Sequence, residues 1–188
     1  MSIITRIGTV AIALTAAFSG AAFAADTPVY IGGAWGQARP NFDTVGGAAN
    51  TGGGITNSDT AYKFYGGYQF HKNFSIEGTY INLGSFTATN GNTIEPAGWG
   101  ISLVGTMPLS NDFSLLGRIG EYRMRQRMNP VGTADTTWSP GIGIGLQYDF
   151  NRNFNARGEF ERIQKIGSNT TTINNNANVY TLGVGYKF

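Results

Sequence analysis

The sequence predicts an all-β chain: an eight-stranded antiparallel up-and-down transmembrane β-barrel preceded by a cleavable signal peptide. Three observations carry that prediction. Apolar residues alternate with small or polar ones, the connections between such segments alternate between short and long, and the composition is poor in charge and rich in glycine. Charged and aromatic residues each make up 13% of the 188 residues, and glycine occurs 28 times; a soluble domain carries about 25% charge and about 7% glycine. The length suits one domain, read as a signal peptide over 1–24 and a barrel domain over 25–188.

The N-terminal segment places Arg6 ahead of an apolar run from Ile7 to Phe18, followed by Ala22-Phe23-Ala24. A basic start, a short apolar core and a small-x-small site describe a secretory signal cleaved after Ala24. The run is too short for a spanning helix. The chain has no Cys, which excludes disulfides, thiolate metal ligation and cysteine catalysis. A net charge of +2 asks for no nucleic-acid partner.

Strands are expected near 28–39, 61–70, 74–84, 98–109, 113–124, 137–150, 154–165 and 178–188. Side chains of a strand alternate between faces, so residue parity assigns each one a side. Trp99, Ile101, Leu103, Met107 and Leu109 share one face in the fourth segment. In the sixth, Ile142, Ile144, Leu146, Tyr148 and Phe150 oppose Gly141, Gly143, Gly145, Gln147 and Asp149. The eighth sets Tyr180, Leu182, Val184, Tyr186 and Phe188 against Thr181, Gly183, Gly185 and Lys187. Glycine turned to water would weaken strands without packing gain, whereas glycine turned inward relieves crowding in a narrow barrel. The apolar face therefore points to lipid.

Short turns fall at His71-Lys72-Asn73, Ser110-Asn111-Asp112 and Asn151-Arg152-Asn153, and long polar loops near 40–60, 85–97, 125–136 and 166–177. Short turns at one end and long loops at the other describe an outer-membrane barrel with both termini in the periplasm. Tyr68-Gln69-Phe70-His71-Lys72-Asn73-Phe74 recurs as Tyr148-Asp149-Phe150-Asn151-Arg152-Asn153-Phe154. Phe70, Phe74, Phe113, Phe150, Phe154 and Phe188 form a lower aromatic ring by this reading, and Tyr80, Trp99 and Trp138 an upper one.

Pairing each hairpin about its turn centre sets Glu77 opposite Gly67, Arg118 opposite Val104, Arg157 opposite Gln147 and Glu159 opposite Gly145. All four charges face inward. Glu77 and Arg157 each lie five residues from a turn centre, about 12–13 Å up a ~25 Å apolar band. A charge at that depth requires a partner, so Glu77 and Arg157 are expected to pair, with Arg118 and Glu159 completing a four-charge network. Arg123, Arg125 and Arg127 share the outward parity at the long-loop end, with Arg162 at similar height, where they could meet lipopolysaccharide phosphates.

The segments Tyr65-Gly66-Gly67-Tyr68-Gln69, Gly105-Thr106-Met107-Pro108-Leu109, Gly117-Arg118-Ile119-Gly120, Arg157-Gly158-Glu159-Phe160 and Tyr186-Lys187-Phe188 resemble the OmpA-like transmembrane barrels. The resemblance implies a Gram-negative outer membrane and assembly through the C-terminal stripe Tyr180, Leu182, Val184, Tyr186 and Phe188. It also implies roles in envelope integrity, slow solute passage or surface contact. The Glu77–Arg157 pair would be the counterpart of that family's internal ionic gate. Ala34 and Val104 stand where further interior lysines would be implied, and Gln147 where an acid would be. The sequence ends at Phe188, so the tethering role of the family's peptidoglycan-binding domain is not carried over.

Catalysis finds no footing. His71 is the single histidine and sits in a turn beside Lys72, which leaves no His-based base, triad or metal cluster. Gly52-Gly53-Gly54 lacks the lysine of a phosphate loop. No cofactor or metal is expected. The expected partners are the bilayer, lipopolysaccharide and the outer-membrane assembly machinery, with the barrel itself a monomer. The expected function is a structural outer-membrane barrel contributing to envelope integrity. Its rivals are a narrow low-conductance pore and a surface adhesin or receptor acting through the loops.

Overall fold

The computed structural model describes residues 28–41, 44–45, 48–49, 59–87, 93–129, 134–166 and 176–188; the expected signal peptide lies outside them. Eight strands form the barrel: β1 (Val29–Asn41), β2 (Asp59–His71), β3 (Phe74–Asn82), β4 (Thr93–Pro108), β5 (Phe113–Asn129), β6 (Ala134–Asp149), β7 (Phe154–Gln164) and β8 (Asn176–Lys187). Each pairs antiparallel with its sequence neighbours, and β1 meets β8 from Tyr30↔Lys187 to Asn41↔Asn176, which closes the sheet. Closure removes the edges that an open sheet would leave unpaired in lipid.

The turn-centred registers hold: Gly67↔Glu77, Val104↔Arg118, Arg157↔Gln147 and Glu159↔Gly145 are rungs. Short polar side chains set the turns by capturing backbone N–H groups. Asn151 Oδ1 accepts from the amides of Asn153 at 2.9 Å and Phe154 at 2.8 Å, and Ser110 Oγ accepts from that of Phe113 at 3.1 Å. The sequence echo has a structural purpose. Asn73 Nδ2 donates to the Thr106 carbonyl at 2.8 Å and its counterpart Asn153 to that of Lys187 at 2.9 Å, tying each turn to the next strand.

Parity reads out as two faces. Trp35, Trp99 and Trp138 are 60–61% exposed on the outer face, among Ile101, Leu103, Ile119, Ile142, Ile144, Leu146, Leu182 and Val184. Phe70, Phe74, Phe113, Phe150 and Phe154 are exposed near the short turns. They extend through contacts the sequence reading had not included, such as Phe113 with Tyr148 and Phe154 with Tyr186. Glycines 145, 183 and 185 are buried on the inner face.

One expectation is corrected. The fourth, fifth and sixth strands run well into the regions read as loops 85–97 and 125–136: β4 and β5 pair as far as Thr93↔Asn129, and β5 and β6 as far as Arg127↔Ala134. The polar residues there offer no apolar face to mark a strand, and outside the lipid-facing band a strand needs none. The interior carries an apolar layer besides its charges. Ala38, Ala61, Ile81, Tyr122, Met124, Ile163, Ala177 and Val179 form a buried apolar layer at the long-loop end, joined by Leu83, Phe86 and Ile166 from the connecting segments.

Candidate functional site

The inward charges stand on β2, β3, β5 and β7 and converge. Glu77 is fully buried; Arg118 donates to its Oε1, and Arg157 donates to its Oε2 at 2.8 Å. Glu159 lies farther off, 3.5 Å from Arg118 and 3.7 Å from Arg157. The four sequence-predicted charges therefore meet, but Glu77 holds two arginines rather than one.

Sequence reasoning missed two members. Lys63 on β2 donates to Glu159 and lies 3.5 Å from Glu161, which in turn accepts from the Tyr122 hydroxyl. Lys63 is the interior lysine whose absence Ala34 and Val104 had suggested. Its parity, shared with Tyr65 and Gly67, was the available signal, as was that of Glu161 with Arg157 and Glu159. Three cations now face three carboxylates, so the cluster is charge-balanced.

Neutral groups finish the cluster. Tyr30 donates to Glu77 Oε2 at 3.0 Å and bonds Ser75 at 2.9 Å. The Arg157 guanidinium lies 4.7 Å above the Tyr65 ring and 5.5 Å above that of Tyr30, within the range of cation–π attraction. Gln147 takes the place of the implied acid and accepts from Arg157 at 3.1 Å. Below, Lys187 pairs with Asp149 at 3.0 Å. Such a cluster can hold the strands in one register and fill the lumen. Among the described residues no group of His, Cys, Asp and Glu is arranged to hold a metal ion, and the His71 ring accepts from the Asn73 amide in its turn.

The tyrosines fit into glycine gaps on the same rung of the neighbouring strand. Tyr30 faces Gly67, Tyr65 faces Gly32 and Tyr122 faces Gly100; a Cβ added at any of these glycines would lie 2.2–2.3 Å from the ring opposite.

On the outside, Arg123 and Arg125 are exposed on β5 beside Tyr80, Trp99 and Trp138. Arg127 continues their row on the strand, and its side chain lies outside the described residues. Arg162 does not join them: its rung neighbours are Ile142 and Asn178, and Asn178 in turn pairs with Arg39. Equal height had suggested one cluster, but the strands stand apart around the barrel. The C-terminal residues Tyr180, Leu182 and Val184 are exposed on the outer face, and Tyr186 packs edge-on against Phe188 with ring centroids 5.0 Å apart.

The sequence matches the family described as outer membrane protein beta-barrel domain over residues 10–188. No curated protein matches the chain. Among solved structures, Neisserial surface protein A is similar with a TM-score of 0.71 at 13% identity, covering 86% of this chain and 98% of that one. The attachment invasion locus protein Ail of Yersinia pestis gives 0.55 at 17%, covering 87% and 100%. The N-terminal β-barrel domain of Pseudomonas aeruginosa OprF gives 0.55 at 13%, covering 86% and 98%. At such identities these likenesses speak for the fold alone. The family match spans the whole barrel, and the chain belongs to the outer-membrane β-barrel domain family.

Proposed function

We propose that this chain is an integral outer-membrane barrel that contributes to envelope structure with a closed lumen, its termini and short turns on the periplasmic side. The observation that carries this reading is the balanced charge cluster around Glu77, which fills the lumen and is followed by the apolar layer around Ile81 and Met124. An ion entering would have to displace paired charges and then cross an apolar stretch, both costly steps. In planar bilayers the purified protein is expected to give no sustained conductance steps, and cells lacking it should become more sensitive to detergents. Stable steps at low voltage would replace this reading with the pore.

Assembly is proposed to run through the C-terminal stripe, which presents Tyr180, Leu182 and Val184 outward and ends on Phe188. Deleting Phe188 should lower outer-membrane yield several-fold while periplasmic arrival of the chain is unchanged. Equal yields on sucrose-gradient fractionation would remove Phe188 from that role.

A further inference from the structure

We propose that a cleft on the outer face of β3, β4 and β5 binds a phosphorylated sugar, the headgroup of a glycolipid in the leaflet around the barrel. The cleft has a volume of about 650 Å³ and is lined by Tyr80, Asn82, Glu95, Trp99, Arg123 and Arg125. It is built from two consecutive outward rows. Tyr80, Trp99 and Arg123 occupy one row, and Asn82, Ala97 and Arg125 the next. Ala97 is small and leaves the space; the Tyr80 and Trp99 rings, 4.9 Å apart, form the lower wall.

Pairing separates these arginines from the inward cations of the barrel. Lys63, Arg118, Arg157 and Lys187 all have carboxylate partners, while among the described residues neither Arg123 nor Arg125 forms an ion pair. Two guanidinium groups on one edge suit the oxygens of a phosphate, which they can grip by paired charge-assisted hydrogen bonds. Glu95 and Asn82 across the cleft would accept from hydroxyl groups. A bare polyanion meets repulsion at Glu95, and at Glu121 one outward position below Arg123, whereas a phosphosugar satisfies both signs. The aromatic pair bounds the cleft and suits the apolar C–H side of a sugar.

Position selects the source. Tyr and Trp mark the membrane–water boundary of such barrels, and below the cleft, past Glu121, the outward residues Ile101, Leu103 and Ile119 are exposed and apolar. A ligand held here by its headgroup would lay its acyl chains over them. A soluble glycan would leave that surface unused. The inference rests on the proposed orientation, with the long-loop end at the cell surface.

The test uses the whole mature protein folded into phosphatidylcholine vesicles containing lipopolysaccharide, with the lipopolysaccharide retained after detergent extraction measured. Arg123→Gln with Arg125→Gln should retain about 10- to 30-fold less, since each arginine near an anionic surface contributes a several-fold gain. Arg152→Gln, at the opposite end, should retain as much as the parent protein. Chemically dephosphorylated lipopolysaccharide should be retained at the level of the double variant. Equal retention by parent and double variant overturns the assignment, as does undiminished binding of the dephosphorylated form. Full displacement by a soluble sulfated polysaccharide overturns the glycolipid source. Unboiled gels of the same samples separate the two claims: a parent protein that never shows a heat-shifted folded band defeats the barrel reading, whereas folded protein with equal retention defeats only the cleft.

Discussion

Replacing Glu77 with alanine is expected to lower the unfolding free energy by about 3–5 kcal/mol, the cost of breaking a buried ion pair from one side. Glu77 is the acceptor for both Arg118 and Arg157, so its removal leaves two guanidinium groups sharing Glu159 at 3.5 and 3.7 Å. Arg157→Ala should cost less, because Glu77 keeps Arg118. The double change Glu77→Ala with Arg157→Ala should cost less than the sum of the two single changes, since it removes one charge of each sign. Urea unfolding in lipid vesicles, followed by tryptophan fluorescence, gives all three values. A Glu77→Ala protein within about 1 kcal/mol of the parent, well below the buried-pair range, would mean the cluster does not hold the barrel.

Gly100→Val is expected to cost about 3 kcal/mol, at the upper end of typical overpacking losses. The first added carbon would lie 2.3 Å from the ring of Tyr122, near its root, where the ring cannot swing aside. Tyr122 is fully buried, donates to Glu161 and accepts from Arg118 at 3.3 Å, so its displacement also unties the upper edge of the charge cluster. Gly117→Val supplies the comparison. A Cβ there meets nothing within 4 Å, on the outward face, and the variant should unfold at or above the parent's urea concentration. Equal losses at both positions would mean that strand propensity, not the tyrosine seat, sets the cost.

Most of the barrel was legible because two simple quantities suffice for it: parity tells inside from outside, and a short turn fixes the register of its hairpin. Those quantities placed Glu77, Arg118, Arg157 and Glu159 correctly on the inner face and predicted the rungs Gly67↔Glu77 and Arg157↔Gln147. They do not determine how strands joined by long loops are staggered, and that stagger decides which charges meet across the lumen. Lys63 and Arg162 show the consequence. Lys63 has the right parity, but its contact with Glu159 depends on the registers β2–β1, β1–β8 and β8–β7, none of which a short turn sets. Arg162 was grouped with Arg123 by height alone, with no measure of position around the circumference. The apolar layer of Ile81, Met124 and Ile163 escaped because alternation reverses there: Asn82, Arg123, Arg125, Arg162 and Gln164 put the polar face outward, opposite to the rule that holds along the lipid-facing band.

The sequence distances within the charge cluster constrain how the barrel can enter a membrane. Arg157 is 80 residues from Glu77 and Glu159 is 96 from Lys63. No hairpin contains both halves of either pair; within one strand only Arg157 and Glu159 approach, at 3.7 Å, and Arg118 has no inward carboxylate on β4 or β5. Contacts of such long range form late, after the entropy of closing the intervening chain has been overcome. A partly assembled sheet would therefore carry unpaired charges that lipid excludes. Its inner face must stay in water until β2, β3, β5 and β7 are all present. Entry of this chain is therefore expected to be concerted, the ionic cluster serving as a completion check that a sheet passes only once it has become a tube.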